Sequence, residues 1–220
     1  MAPASGPAAA ALMALGEEVG PGLRRWIAFH EEWGKEVASL ALLGEEELVL
    51  VDPLLADGQW DGLAALARGR RLHIVPTTHW HVRSAAEIAA RWPGTRVWAH
   101  SGGRAAVARR APVSDVFRVG EPLPGGLRAL AARPRSEVLL WEPRSRALIA
   151  GDALLGDGER GAGLHPCPRT WLPASSTRGD LVAALGPALD LEVAMVLPSH
   201  GAPILADGGA ALAAALAGPA

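Results

Sequence analysis

The sequence predicts an α/β chain folded as a four-layer αββα sandwich. Three observations carry that prediction. The 220 residues divide into two β-rich halves, each a run of short strands closed by a helix and a further strand. The helix signals fall outside the strand runs, so each sheet has an apolar face to cover with helices and another to cover with its partner sheet. Half of the residues are hydrophobic and a fifth are charged, and a chain of this length buries roughly 70–75% of its unfolded surface, enough for one substantial core.

The elements follow in order. Residues 1–20 are low in complexity and are expected to be a flexible N-terminal segment, leaving 21–220 as a single domain. Three strands are expected at residues 23–29 (LRRWIAF), 36–43 (EVASLALL) and 47–51 (ELVLV), with Gly44 and the glutamates 45–47 turning the chain between the last two. Residues 59–68 (QWDGLAALAR) read as a helix burying Trp60, Leu63, Ala64 and Leu66, and RLHIVPTTH as a strand running into a loop. Ser84 and Glu87 have the spacing of a capping box, with Ser84 covering an exposed N–H of the next helix, which presents Ile88 and Trp92 and stops at Pro93-Gly94. RVWAH (96–100) is a strand and GGRAAVARR a short helix. Beyond Pro112 come the short strands VFRV, GLRALAA, EVLLWE and RALIAG, with turns at Gly125-Gly126 and Pro143-Arg144-Ser145. Residues 156–173 lack periodicity and are rich in Gly and Pro, so they read as a long loop. A helix (DLVAALGPAL), a strand (VAMVLP) and an Ala-rich helix close the chain.

Composition excludes several classes of function. Twenty-one basic and 23 acidic residues give a formal net charge of −2, which offers neither a nucleic-acid footprint nor a polybasic membrane patch. A single cysteine, Cys167, excludes an intramolecular disulfide and a CxxC metal knuckle and fits a reducing compartment. The N-terminal stretch has no positive region before its short apolar part and runs into Glu17 and Glu18, unlike a signal peptide. No window approaches the ~18 apolar residues of a membrane helix. The expectation is a soluble cytoplasmic protein whose partner is a small molecule, with a homodimer compatible but not indicated. Lys35 is the only lysine, and Tyr and Asn are absent, as in the product of a GC-rich genome.

Candidate chemistry gathers at strand ends. His79 and His81 lie in Thr77-Thr78-His79-Trp80-His81, directly after a strand. In an extended segment, residues two apart point the same way, so two imidazoles would face one ion and Trp80 would point away from them; the plain alternative is a pair of turn histidines. Asp152 follows ALIAG and Asp52 closes ELVLV, where open α/β sheets place ligand-binding groups and where turn aspartates also cap short segments. His200 follows VAMVLP, between Ser199 and Gly201.

The order LVLVDPLL, TTHWH, LIAGDALLG and VLPSHG, over about residues 24–205, resembles the metallo-β-lactamase superfamily, whose members hydrolyse β-lactams, thioesters, lactones and phosphodiesters among others. The resemblance implies the αββα fold and a metal centre. It also exposes departures. Where the family has HxHxDH, this chain has His79-Trp80-His81-Val82-Arg83-Ser84, so Arg83 stands for the aspartate and Ser84 for the last histidine. The family's further histidine before the GD strand is absent from residues 131–137 (AARPRSE). Of the usual metal ligands His79, His81, Asp152 and His200 remain.

A two-metal centre is therefore not expected. The Arg83 guanidinium near the depleted second site also disfavours another divalent cation. The resemblance leaves one divalent ion per chain, zinc ahead of iron, held by His79, His81 and Asp152 with or without His200, or no metal at all. Glu137 is a candidate for the lost histidine's place. Arg83 has two readings, a clamp on a substrate anion or a salt bridge to Asp152 or Glu87 across a dead site. His165 and Cys167, in HPCP of the long loop, either reach the site or stay on the surface, and Trp171 is a candidate pocket wall; Asp52 and Ser84 complete the surroundings. The expected function is a mononuclear metal-dependent hydrolase acting on a small ester, thioester, lactone or phosphoester through a metal-activated water, with Asp152 orienting that water and Arg83 stabilising the anion. The alternative is a catalytically degenerate protein that keeps the fold to bind a small ligand or partner.

Overall fold

A computed structural model describes residues 15–133, 136–157 and 163–218. Two sheets stack face to face. The first has seven strands in sequence order: β1 (Glu17–Gly20), β2 (Leu23–His30), β3 (Lys35–Leu43), β4 (Glu47–Val51), β5 (Arg71–Val75), β6 (Arg96–His100) and β7 (Val113–Phe117). The second, in spatial order, is β13 (Met195–Pro198), β10 (Ala147–Gly151), β9 (Glu137–Glu142) and β8 (Arg128–Arg133). Helices α1 (Trp60–Ala67), α2 (Ala85–Arg91) and α3 (Arg104–Val107) make the crossovers of the first sheet, and α4 (Arg178–Leu185) and α5 (Gly208–Ala217) belong to the second half.

The layers follow from period-two alternation in strands buried on both faces. Val49 and Val51 of β4 meet Val138 and Leu140 of β9 and Ile149 of β10 between the sheets. Their neighbours Leu48 and Leu50 turn outward onto Leu63 and Leu66 of α1 and Ile88 of α2. Leu139, Trp141 and Leu148 turn onto Leu181 and Leu185 of α4 and Leu212 of α5. Helix, sheet, sheet, helix is thus the order of the cores, as the sequence predicts.

Four local expectations change. Part of the segment expected to be flexible is ordered: Glu17–Gly20 pairs with β2, and Leu15 is fully buried; residues 1–14 lie outside the described residues. Ser84 precedes α2 but does not cap it; its hydroxyl accepts from the Leu55 N–H at 3.1 Å, tying the chain after β4 to the helix start. Ala64 faces solvent rather than the core. The expected long loop contains a hairpin, β11 (Leu154–Gly156) with β12 (Leu164–Pro166); residues 158–162 of its connection lie outside the described residues. Among the described residues no helix is long and apolar enough to cross a membrane.

Each sheet contains a parallel pair that delivers two strand ends to the same edge. β4 and β5 run parallel with Val51 opposite Val75, and β10 and β13 run parallel with Gly151 opposite Pro198. Cross-sheet hydrogen bonds lock these edges together: Ala38 N–H donates to Ser199 O at 2.8 Å and Val138 N–H to Thr77 O at 2.9 Å.

Candidate metal centre

Asp52, at the end of β4, is held at a positive φ of 52°, a conformation aspartate tolerates better than most residues. The turn aims its buried carboxylate at the loop after β5. Thr77 donates its N–H to Oδ1 and its hydroxyl to Oδ2, both at 2.7 Å. His81 donates its Nδ1–H to Oδ2 at 2.9 Å. That bond orients the fully buried His81 ring and points Nε2 across the site.

Across the gap lies Asp152. Gly151 brings it there at φ +54, where a Cβ would lie 2.7 Å from Thr77 Oγ1 and 2.9 Å from Glu137 Oε1, so only glycine fits this approach. The Asp152 N–H donates to Glu137 Oε1 at 2.7 Å. Asp152 Oδ1 sits 3.1 Å from His81 Nε2 and 3.3 Å from His200 Nε2. Nε2 of His81, although buried and this close, makes no well-aligned hydrogen bond.

The electrostatics follow the geometry. Burial and the Arg83 guanidinium oppose protonation of His81, but Asp152 and Asp52 outweigh them and raise its pKa to about 9. Burial alone would raise the Asp152 pKa, yet His81 and His200 hold its carboxyl well below the usual range.

Donor atoms of His81, Asp152 and His200 all lie within 4.8 Å of one another. The carboxylate-to-imidazole spacings resemble the roughly 3.3 Å between neighbouring ligands of a tetrahedral ion with ~2.0–2.1 Å bonds. Two imidazoles and one carboxylate suit Zn(II) or Fe(II), and Asp52 behind His81 forms the carboxylate–histidine arrangement that orients metal ligands. These residues fit a single divalent ion.

His79 does not join them as expected. Residues His79–Val82 form a 3₁₀ turn rather than an extended segment. Side chains two apart on a helix of three residues per turn diverge by about 120°, so His81 enters the floor while His79 lines the pocket wall, its ring 4.6 Å from that of Trp80. Trp80 accordingly does not turn away from the histidines; it is 50% exposed at the pocket mouth.

Arg83 follows neither of its two readings. Its guanidinium donates to Ala38 O at 2.9 Å, Asp52 O at 2.7 Å and Ser199 Oγ at 2.7 Å. It thereby braces β3, β4 and the end of β13 behind the site, instead of facing a substrate or pairing with Asp152 or Glu87. Glu137 lies on the pocket wall but outside the three-donor group, where it holds the Asp152 amide. His165 is exposed and faces Asp157 at 3.3 Å, and Cys167 is buried in the core under α4 and α5; neither lines the pocket. Trp171 does line it, its ring centre 5.7 Å from that of His200 in an edge-to-face arrangement.

Asp152 and His200 line a cavity of about 630 Å³, with the fully buried His81 behind them. Sequence reasoning missed Trp33 and Lys35 in its wall. Trp33 lies in the β2–β3 turn, stacked on His30 at 3.9 Å, its ring 6.0 Å from His81 and 6.5 Å from His200. An indole inside the polar turn Glu31-Glu32-Trp33-Gly34 was the available signal. The TTHWH motif gives no sign of the role of Thr77, which fixes Asp52.

No protein-family model and no curated protein matches the sequence. Solved structures do match the fold. A metallo-beta-lactamase family protein from Thermus thermophilus is 21% identical, with a TM-score of 0.65 over 88% of this chain and 78% of that one. A metallo-beta-lactamase from Pontibacter korlensis gives 14% identity and 0.67 over 91% and 95%. The metallo-beta-lactamase FIM-1 from Pseudomonas aeruginosa, in its mono-zinc form, gives 16% and 0.60 over 87% and 90%. The chain has the metallo-β-lactamase fold.

Proposed function

We propose that the protein is a mononuclear metal-dependent hydrolase of a small ester, thioester, lactone or phosphoester. The observation that carries this reading is the convergence of His81, Asp152 and His200, from the segments after β5, β10 and β13, where Asp152 and His200 line an open pocket and His81 lies buried behind them. One similar structure is a mono-zinc form, which supports a single ion on this fold. His81, Asp152 and His200 would hold it; when bound, such an ion polarises a carbonyl or phosphoryl oxygen and lowers the pKa of water to about 7. Asp52 holds the Nδ1 proton of His81, so Nε2, which would give up its own proton on metal binding, is the nitrogen that would face an ion. Glu137 fixes the loop that carries Asp152 by accepting its amide N–H. Trp33 and Trp171 stand beside the imidazoles, where they would wall the bound substrate. In the overall reaction water adds to the acyl or phosphoryl centre, the C–O, C–S or P–O bond breaks, and a proton passes to the leaving group.

A second reading keeps one specific support. His81 is already compensated on both ring nitrogens by Asp52 and Asp152, an arrangement that is stable as a binding pocket without turnover. The zinc-loaded protein and its Asp152→Ala variant, screened against esters, thioesters, lactones and phosphodiesters, separate the two. Turnover abolished by the substitution, with circular dichroism unchanged, supports the hydrolase; turnover retained in the variant, or no turnover of any class, overturns it.

A further inference from the structure

We propose that this pocket selects substrates bearing an anionic group at the end remote from the scissile bond, and that Lys35 is the specificity-determining cation that holds it. This rests on the hydrolase reading for its substrate class, but the binding claim stands on the geometry of the rim.

Charge in the pocket is sharply divided. Of the residues that line it, the carboxylates Asp152 and Glu137 are buried, at its floor and inner wall, whereas Lys35 is exposed, at its mouth. The Lys35 ammonium lies 5.5 Å from the centre of the Trp171 ring and has no carboxylate partner among the described residues. Every other basic residue of the chain is an arginine. Trp80, also at the mouth, has the Arg110 guanidinium 5.6 Å from its ring centre, adding positive charge on that side.

Between floor and mouth the wall is apolar. Trp171 spans it, with His200 at its edge and Lys35 against its face. Trp33 stands over the imidazoles, and Leu172 and Pro173 continue the surface. A ligand that satisfies this wall has its reacting group at the histidines, a flat or aliphatic body on the indoles, and a carboxylate or phosphate at Lys35. A neutral ligand of the same shape gains the stacking but leaves the ammonium without a counter-ion.

Binding is tested without turnover. Phenylbutyrate, phenylethyl phosphate and the neutral phenylbutyramide are titrated into zinc-loaded and chelator-treated protein, following intrinsic tryptophan fluorescence. Both anions are expected to bind at least about tenfold more tightly than the amide in either preparation, a difference lost in Lys35→Met and retained in Lys35→Arg. Which anion binds better identifies carboxylate or phosphate as the natural terminus. Equal binding of the amide, unchanged anion binding in Lys35→Met, or no saturable binding overturns the proposal. Lys35-dependent binding in a protein that hydrolyses nothing would sink the hydrolase reading and leave this one standing. Turnover of anionic and neutral esters with equal KM in Lys35→Met and wild type would do the reverse.

Discussion

The floor and the mouth of the pocket are built on opposite principles. At the floor, Asp52, Thr77, His81 and Asp152 are buried, bonded to one another, and fixed by strand ends from both sheets. At the mouth, Lys35 opens β3, Trp80 and Trp171 sit in 3₁₀ turns, and all three stay exposed. A floor of this kind holds one geometry, because each buried polar group is costly to leave unpaired. A mouth of this kind holds a ligand by stacking and charge, and tolerates change. Loss of a floor residue should therefore damage folding and metal binding together, whereas loss of a wall residue should spare both.

The sharpest break in that comparison is Asp52→Ala. It leaves the His81 Nδ1–H and the Thr77 donors without their acceptor, and should cost about 3 kcal/mol in denaturant unfolding. Zinc affinity should also fall about 10–100-fold in competition with a chelator. A variant that stayed as stable and bound zinc as tightly would remove Asp52 from the site.

Next in size is Arg83→Met, which takes the brace from Ala38, Asp52 and Ser199. A loss of about 2 kcal/mol is expected from these charge-assisted bonds, with zinc stoichiometry unchanged. Loss of zinc without loss of stability would return Arg83 to the binding machinery.

The chelated protein should also show its floor in a pH series. His81 has a folded pKa of about 9, above its unfolded value of about 6.5. Its contribution is fully present below about pH 6.5 and is lost as pH rises through about 9. Asp152 is depressed, so its contribution is present above about pH 4 and is lost as pH falls further. Unfolding measured across this range should peak between those limits; stability rising from pH 7 to 9 would contradict the His81 assignment.

The smallest effect belongs to the wall. His79→Ala should change zinc affinity no more than about twofold, the scale of an ordinary surface substitution. A loss comparable to that of Asp52→Ala would put His79 back among the ligands.

The same division explains what the sequence makes legible. ELVLV, EVLLWE and ALIAG are strands buried on both faces, and their apolar runs announce two covered sheets. Asp52, Asp152 and His200 are readable because each directly follows such a run. His79 is misread because HxH spacing carries no sign of a 3₁₀ turn, and i,i+2 logic holds only in extended chain. Ser84 has a cap's spacing, but the Leu55 amide claims its hydroxyl. Trp33 and Lys35 reach the pocket through the folding-back of the β2–β3 turn, a long-range event without local periodicity.

The most direct test of a single-ion floor is the zinc content of protein dialysed against zinc and then against metal-free buffer, measured beside Asp152→Ala. One zinc per chain, absent from the variant, is expected from the His81–Asp152–His200 group. No retained zinc, or two ions per chain, would contradict it.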